Sequence, residues 1–480
     1  MLRAVNLMAS GRPCRHLLLA GMLLIAGCHS MAPEYERPAA PVAEQYPLSG
    51  ETAGLPAAGL GWRQYFTDPA LQALIAQALE HNRDMRAAIL RVEEAQTAYG
   101  IARAGRYPHV DAIGSYNRSR TPADLSMTGR PIIAEDYLVG IGISNWEIDF
   151  WGRVRSLKDA ALESYLATAE ARRALQIALI ARVADGYLTL RELDERLAIA
   201  RKTIESRAET LRIFRRRHEV GATSRLDLTQ AETLLSQAQS LEYQLQQTRS
   251  AQYNALTLLV GQSFELAPAS QSLDRITLPE IAAGLPSDLL LARPDIMAAE
   301  HRLKAANANI GAARAAFFPR ISLTTTYGSA SSELEGLFEA GSQAWKFSPS
   351  ISLPIFDAGR NRANLNLAEV RRDLAVTEYE KTIQTAFREV ADALAARKWL
   401  EQQVRSQQQT RDALSERSRL VRLRYDSGAT SYFEVLDAER ELLAAEQQLT
   451  QTRRALLSSR IGLYAALGGG TQAGVEPISQ

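Results

Sequence analysis

The side chains able to do chemistry are few, and most are badly placed for catalysis. Six histidines, His16, His29, His81, His109, His218 and His301, are scattered along the chain. None forms the His-Glu-x-x-His pair that would set two zinc ligands on one helix face. Gly468-Gly469-Gly470 is not followed by the Lys-Ser/Thr of a phosphate loop and reads as a helix stop. His218 closes the basic run Arg215-Arg216-Arg217, and positive charge suits a helix C-terminus. Two cysteines, Cys14 and Cys28, exclude a disulfide scaffold and a cysteine-rich zinc domain. What remains is a charged and aromatic stretch, Tyr425-Asp426-Ser427-Gly428-Ala429-Thr430-Ser431-Tyr432-Phe433-Glu434-Val435-Leu436-Asp437-Ala438-Glu439-Arg440. Within it Ser431-x-x-Glu434 has the pattern of a capping box, as does Ser224-x-x-Asp227 earlier. The N-terminal dipole of a helix favours both acids. Capping explains Asp437 less well, and it explains Phe433 beside a solvated turn poorly. The chain is therefore expected to have no catalytic residue, no metal site and no bound cofactor.

Cys28 carries a different chemistry. The N-terminus holds Arg3, Arg12 and Arg15 with no acid, then an apolar run from Leu17 to Ile25 broken by Gly21. That run is too short to span a bilayer and has the shape of a secretory h-region. It ends Leu24-Ile25-Ala26-Gly27-Cys28, which resembles a bacterial lipobox. Residues 1–27 are then a lipoprotein signal peptide. Cleavage leaves Cys28 to take a thioether-linked diacylglycerol and an N-acyl chain (palmitate). Several acyl chains give a stable anchor where one gives a marginal one. His29 stands where an Asp would retain such a protein in the inner membrane, so the outer membrane is expected. Cys14 leaves with the leader, and so do three arginines, which moves the formal charge from +1 to −2.

The elements that position these residues come in two copies. Formal charge near zero excludes a strongly basic nucleic-acid binder. The 480 residues are 46% hydrophobic and 23% charged, enough for a sizeable core. Gly100 to Val110 matches Gly311 to Ile321, with Gly, Ala, Arg, Ala and Pro coincident. Gly152-Arg153, Val183-Ala184-Asp185, Gly221-Ala222-Thr223-Ser224 and Gly261 recur 207 residues later. Residues 69–261 and 287–468 are read as repeats of one unit. They are flanked by an acylated extended segment (28–68), a linker (262–286) and a tail (469–480). Residues 29–60, rich in Pro, Ala and Gly, are expected to wander.

Each copy should open with a helix, 70–104 and 295–316, led in by Pro69 and Pro294. Two extended segments follow, at about 109–118 and 136–146, then at about 320–329 and 345–356. A very long helix comes next, because 360–427 contains no Gly or Pro and 153–218 only Gly186. Turns at Gly221 and Gly428 lead into return helices 225–260 and 432–467. The apolar stripe Leu367, Val370, Leu374, Tyr379, Ile383, Phe387 has coiled-coil spacing. The extended segments alternate: Ile321, Leu323, Thr325 and Tyr327 against Ser322, Thr324, Thr326 and Gly328. This fits membrane strands around a wet lumen, with Trp146, Trp151 and Trp345 near the interface. Four strands cannot close a barrel, and open edges in lipid leave backbone groups unsatisfied, so several chains must share one.

Together the lipobox, the double repeat and the Tyr425–Arg440 stretch resemble the TolC-like outer-membrane efflux proteins, in particular their OprM/NodT-like lipoprotein branch. The resemblance covers about residues 60–468. It implies a mainly α fold with a small transmembrane β part. Three chains would share a twelve-stranded β-barrel above a long α-helical coiled-coil barrel. It also implies docking to a periplasmic adaptor (a membrane fusion protein) and an inner-membrane pump of RND type, with passive export of drugs or other small molecules. By the same resemblance Gly221 and Gly428 mark the periplasmic tip turns. Phe433, Glu434 and Asp437 ring the constriction, and the six carboxylates of three copies would favour cations. Tyr425 would bond to Asp227, and Arg440 would sit beside the gate. The chain departs at Thr430, where TolC-like members carry a gate arginine. The competing expectation is a pore-less periplasmic adaptor or structural coiled-coil lipoprotein. Two hairpins, together with strands of membrane length, favour the channel.

Overall fold

A computed structural model describes residues 30–47, 55–266 and 272–470. The leader 1–27, Cys28 and residues 471–480 of the tail lie outside the described residues. The principal elements are α1 (Pro69–His81), α2 (Arg83–Ala104), β1 (Val110–Thr121), β2 (Ile132–Glu147), α3 (Arg153–Glu219) and α4 (Arg225–Val260) in the first half. The second half holds α5 (Pro294–Ala315), β3 (Arg320–Ser331), β4 (Gln343–Ser352), α6 (Arg360–Asp426) and α7 (Tyr432–Ala466). The order helix, strand, strand, long helix, return helix thus occurs twice, and both long helices have 67 residues.

The first helix of the first half differs from expectation: the stretch expected as one helix over 70–104 is two. Asn82 breaks it with an extended backbone, φ −63° and ψ 131°. Its Oδ1 accepts from the Met85 N–H at 2.9 Å, and its Nδ2 donates to the Leu259 carbonyl at 2.9 Å. Asn is a favoured cap, and here it starts α2 while satisfying a buried amide. Pro69 does stand at the first position of α1, behind Asp68, whose carboxylate accepts from the N–H groups of Ala70 and Leu71.

The chain divides into two compact units. One gathers Glu93–Ala167 and Ala299–Glu378 with the N-terminal segment to Pro38. Its sheet is an antiparallel meander in the order β1-β2-β3-β4, and the central β2–β3 pair joins the two halves. Ile141 lies opposite Tyr327, Tyr327 opposite Trp345, and Ile321 opposite Ile351. These residues share one face, and it is bare: Trp345 is 74% exposed and Ile351 72%. Six exposed side chains there, Ile141, Tyr327, Trp345, Ile351, Val110 and Phe347, represent on the order of 10 kcal/mol of unrealised transfer out of water. On the other face Gly140 and Gly328 oppose each other. A Cβ on Gly140 would lie 2.5 Å from the Tyr327 carbonyl oxygen, so two side chains do not fit there.

The strands run to 12, 16, 12 and 10 residues. β2 gains its length with a register shift between Ile143 and Trp146, where Asn145 takes φ +53°. β4 stops at Ser352 rather than 356, because Pro354 has no N–H to donate. Pro349 lies within β4 opposite Leu323.

The N-terminal segment also departs from expectation. Residues 30–38 do not wander but are held side chain by side chain. The Arg37 guanidinium grips both oxygens of the buried Glu300, Tyr35 donates to the same carboxylate, and Asn307 donates to the Pro33 carbonyl. Desolvation opposes the Glu300 charge, and Lys304 and Arg37 more than offset it, so its carboxyl is held below the usual range. Composition forbids a helix here; it does not forbid anchoring.

The other unit gathers the described residues within 39–92, 168–298 and 379–470. Its aromatic centre stacks Tyr65 on Tyr464 at 4.2 Å. The repeat is visible in its packing. Gly261 ends α4 against the His81 carbonyl, and Gly468 follows α7 against the Ala292 carbonyl; both have positive φ. Among the described residues no helix is long and apolar enough to cross a membrane.

Candidate gate at the hairpin tips

All the gate residues expected from sequence fall in this second unit. The two turns are superimposable in kind. Gly221 and Gly428 both have φ +74°. Gly221 N–H donates to the His218 carbonyl and Ala222 N–H to that of Arg217. Gly428 and Ala429 make the same pair of bonds to Tyr425 and Arg424. This is a Schellman closure, in which the left-handed glycine satisfies carbonyls that the helix end would orphan.

The residues behind the turns are satisfied differently. At the first turn the capping box forms: Asp227 N–H donates to Ser224 Oγ, and Asp227 Oδ2 accepts from Ser224 and from Thr223 Oγ1. The Ser224 hydroxyl, opposed by some burial and helped by Thr223, holds the Asp227 carboxyl below its ordinary range. At the second turn Ser431 makes no side-chain cap bond, and the buried Thr430 hydroxyl has no partner. Glu434, one methylene longer than Asp227, points instead towards Arg424 at 4.0 Å. The capping-box pattern is thus filled once and broken once.

Two expectations are corrected. Tyr425 and Asp227 do not bond to each other. Asp227 is consumed by its own cap, and Tyr425 accepts from Arg217 at 2.5 Å. Asp437 is not a free carboxylate either. Its Oδ2 accepts from Arg417 at 3.1 Å and its Oδ1 from Arg440 at 2.6 Å, while Arg417 also binds Glu441. Within one chain, then, guanidiniums lie beside Asp437 and, at 4.0 Å, beside Glu434.

Tyr432 ties the two hairpins together. Its hydroxyl meets Thr210 Oγ1 at 2.6 Å, and its ring lies 4.6 Å from Phe214 and 4.8 Å from Tyr425. Leu211, Phe214, Leu228 and Ala231 of the first hairpin share one small core with Tyr432, Val435 and Leu436 of the second. Beside it Glu439 is pushed up by burial, opposed by Arg422, 3.5 Å away, and by Arg207. Phe433 and Leu226 remain 61% and 66% exposed and flank a groove of about 230 Å³ with Leu436, Asp437 and Arg440. Arg417, Arg217 and Thr210 were not singled out from sequence. An antiparallel hairpin folded at Gly428 sets Arg417 against Glu441, and counting outward from the turn finds that pair.

The chain is similar to known proteins over both repeats. The profile of the family described as "Outer membrane efflux protein" matches residues 74–262 and 285–469, which are close to the two repeats. The toluene efflux pump outer membrane protein TtgI of Pseudomonas putida is 46% identical over 463 residues, covering 95% of this chain and 98% of that one. Outer membrane protein OprJ of Pseudomonas aeruginosa is 44% identical over 458 residues, covering 94% and 96%. The crystal structure of the open state of the Neisseria gonorrhoeae MtrE outer membrane channel matches with a TM-score of 0.86 at 38% identity, covering 94% of this chain and all of that one.

Proposed function

This chain belongs to the outer membrane efflux protein family, and from that premise we propose that it is the outer-membrane exit duct of a tripartite efflux system, passing drugs or other small molecules outward through a trimeric channel gated at its periplasmic tip. The observation that carries this reading is the sheet. Four strands present a bare apolar face and leave β1 and β4 as unpaired edges. In a bilayer the face is solvated by lipid, and the edges need neighbours. Three copies would supply twelve strands, and their helical hairpins would continue the duct into the periplasm.

At the tip the closing contacts are exposed ion pairs, each worth about 0–1 kcal/mol. Arg424 near Glu434 belongs to this class, and Arg217 adds a hydrogen bond to the Tyr425 phenol oxygen. A gate held by several such links stays shut alone and yields when a docked adaptor and an RND-type inner-membrane pump turn the hairpins. The Thr430 position contributes no link, so closure rests on Phe433, Glu434, Asp437, Tyr425 and Arg440. Cys28 would carry diacylglycerol and palmitate. The held segment from Ser30 onward, with Ser30 bonded to Ser156 at 3.2 Å, would tether that anchor. No catalytic step and no nucleic-acid contact belongs to this account.

Crosslinking of the purified, acylated protein in detergent tests the shared barrel. Trimers are expected. A ladder that stops at monomer overturns it and favours a pore-less lipoprotein.

A further inference from the structure

We infer that Arg417 is the positioning residue that sets the charge of the constriction: it holds Asp437 and Glu441 in a neutral clamp, so the ion selectivity of the duct is fixed by Arg417 rather than by the acids alone. This rests on the channel reading above. Arg417 lies on α6 and both acids on α7, and it contacts Asp437 Oδ2 and Glu441 while Arg440 takes Asp437 Oδ1. Two carboxylates are matched by two guanidiniums, and neither oxygen of Asp437 is left to face a passing ion.

The repeat supplies an internal control. The positions corresponding to Arg417, Asp437, Arg440 and Glu441 in the first hairpin are Thr210, Gln230, Thr233 and Leu234. That hairpin makes the same turn with no charge at any of the four. The clamp is therefore not needed to fold a hairpin of this kind. Its charges are an addition confined to the copy whose helix bears Phe433 and Glu434. The cluster is partly exposed, with Arg417 at 43% and Asp437 at 25% of their side-chain surfaces. An ion in the lumen would therefore sense its net charge, at a range that salt shortens.

The test is the reversal potential of the full-length acylated protein in planar bilayers under a KCl gradient, compared across wild type, Arg417→Gln, Arg417→Lys and Arg417→Gln/Asp437→Asn. Removing one positive charge per copy is expected to raise the potassium-to-chloride permeability ratio about fivefold at 0.1 M salt, and less at 1 M. Arg417→Lys should retain the wild-type ratio, and the double variant should return towards it. A merely structural arginine would alter open probability without this pattern of charge rescue. Conducting Arg417→Gln channels with the wild-type ratio overturn the inference and leave the channel intact. Protein that inserts and never conducts, even with Glu434→Ala and Asp437→Ala to loosen the gate, overturns the channel reading, and this inference with it.

Discussion

Behind the turn at Gly221 the helix begins Ser224-Arg225-Leu226-Asp227; behind Gly428 it begins Ser431-Tyr432-Phe433-Glu434. The turns share their glycine, its φ of +74° and their backbone bonds. They part at the side chains. The first is locally closed, with Thr223, Ser224 and Asp227 satisfying one another. The second leaves Ser431 without a cap bond and Thr430 unpartnered, and sends its acids and aromatics outward to Arg424, Arg417, Arg440, Thr210 and Phe214. The first turn is braced by its own neighbours, and the second spreads its links along its own hairpin and, through Tyr432, to the other.

The largest contrast is at Tyr432 and its counterpart Arg225. Tyr432→Ala empties the core shared by the hairpins and should destabilise the tip by about 3–5 kcal/mol. Arg225 is exposed, so Arg225→Ala should stay within about 0.5 kcal/mol. Hydrogen exchange of the tip amides measures both, and equal effects would erase the distinction. Gly221→Ala and Gly428→Ala should each cost about 1–2 kcal/mol, because both need the left-handed region. The comparison predicts equality here, and protease nicking at the two turns reads it.

Ser224→Ala should cost about 1 kcal/mol, and Ser431→Ala almost nothing. The depressed Asp227 carboxyl adds stability above the ordinary carboxylate range, and this is lost as pH falls through its folded pKa, so the Ser224→Ala penalty should shrink in acid. Glu439 has the opposite sign. Its folded carboxyl binds its proton more tightly than in the unfolded chain, so the second hairpin should lose stability as pH rises from the ordinary glutamate range through the raised value. Arg422 and Arg207 limit this small effect. Glu439→Gln should flatten it, and exchange rates from pH 4 to 7 would show the change.

Much of the architecture is legible without coordinates because it is periodic. Long helices almost free of Gly and Pro, strands alternating in twos and a second copy kept in register at a shift of 207 residues all leave marks on sequence. What escapes is decided by single side chains. Asn82 splits a helix because its amide finds the Leu259 carbonyl, a partner far along the chain. Arg37 pins a segment that composition marks as loose, because Glu300 is buried and needs a cation. The family resemblance implies a bond between Asp227 and Tyr425, yet a serine three residues away competes better than a tyrosine on another helix. Local partners win because they forfeit less entropy.

The central claim is that the second copy lines the constriction. Thiol modification tests it most directly, since the processed chain would hold no free cysteine besides an introduced one. Current through Asp437→Cys trimers in planar bilayers is predicted to fall stepwise when an anionic methanethiosulfonate is added, whereas current through Gln230→Cys trimers should change far less. Full, unaltered current through modified Asp437→Cys trimers, or equal block at both positions, would contradict it.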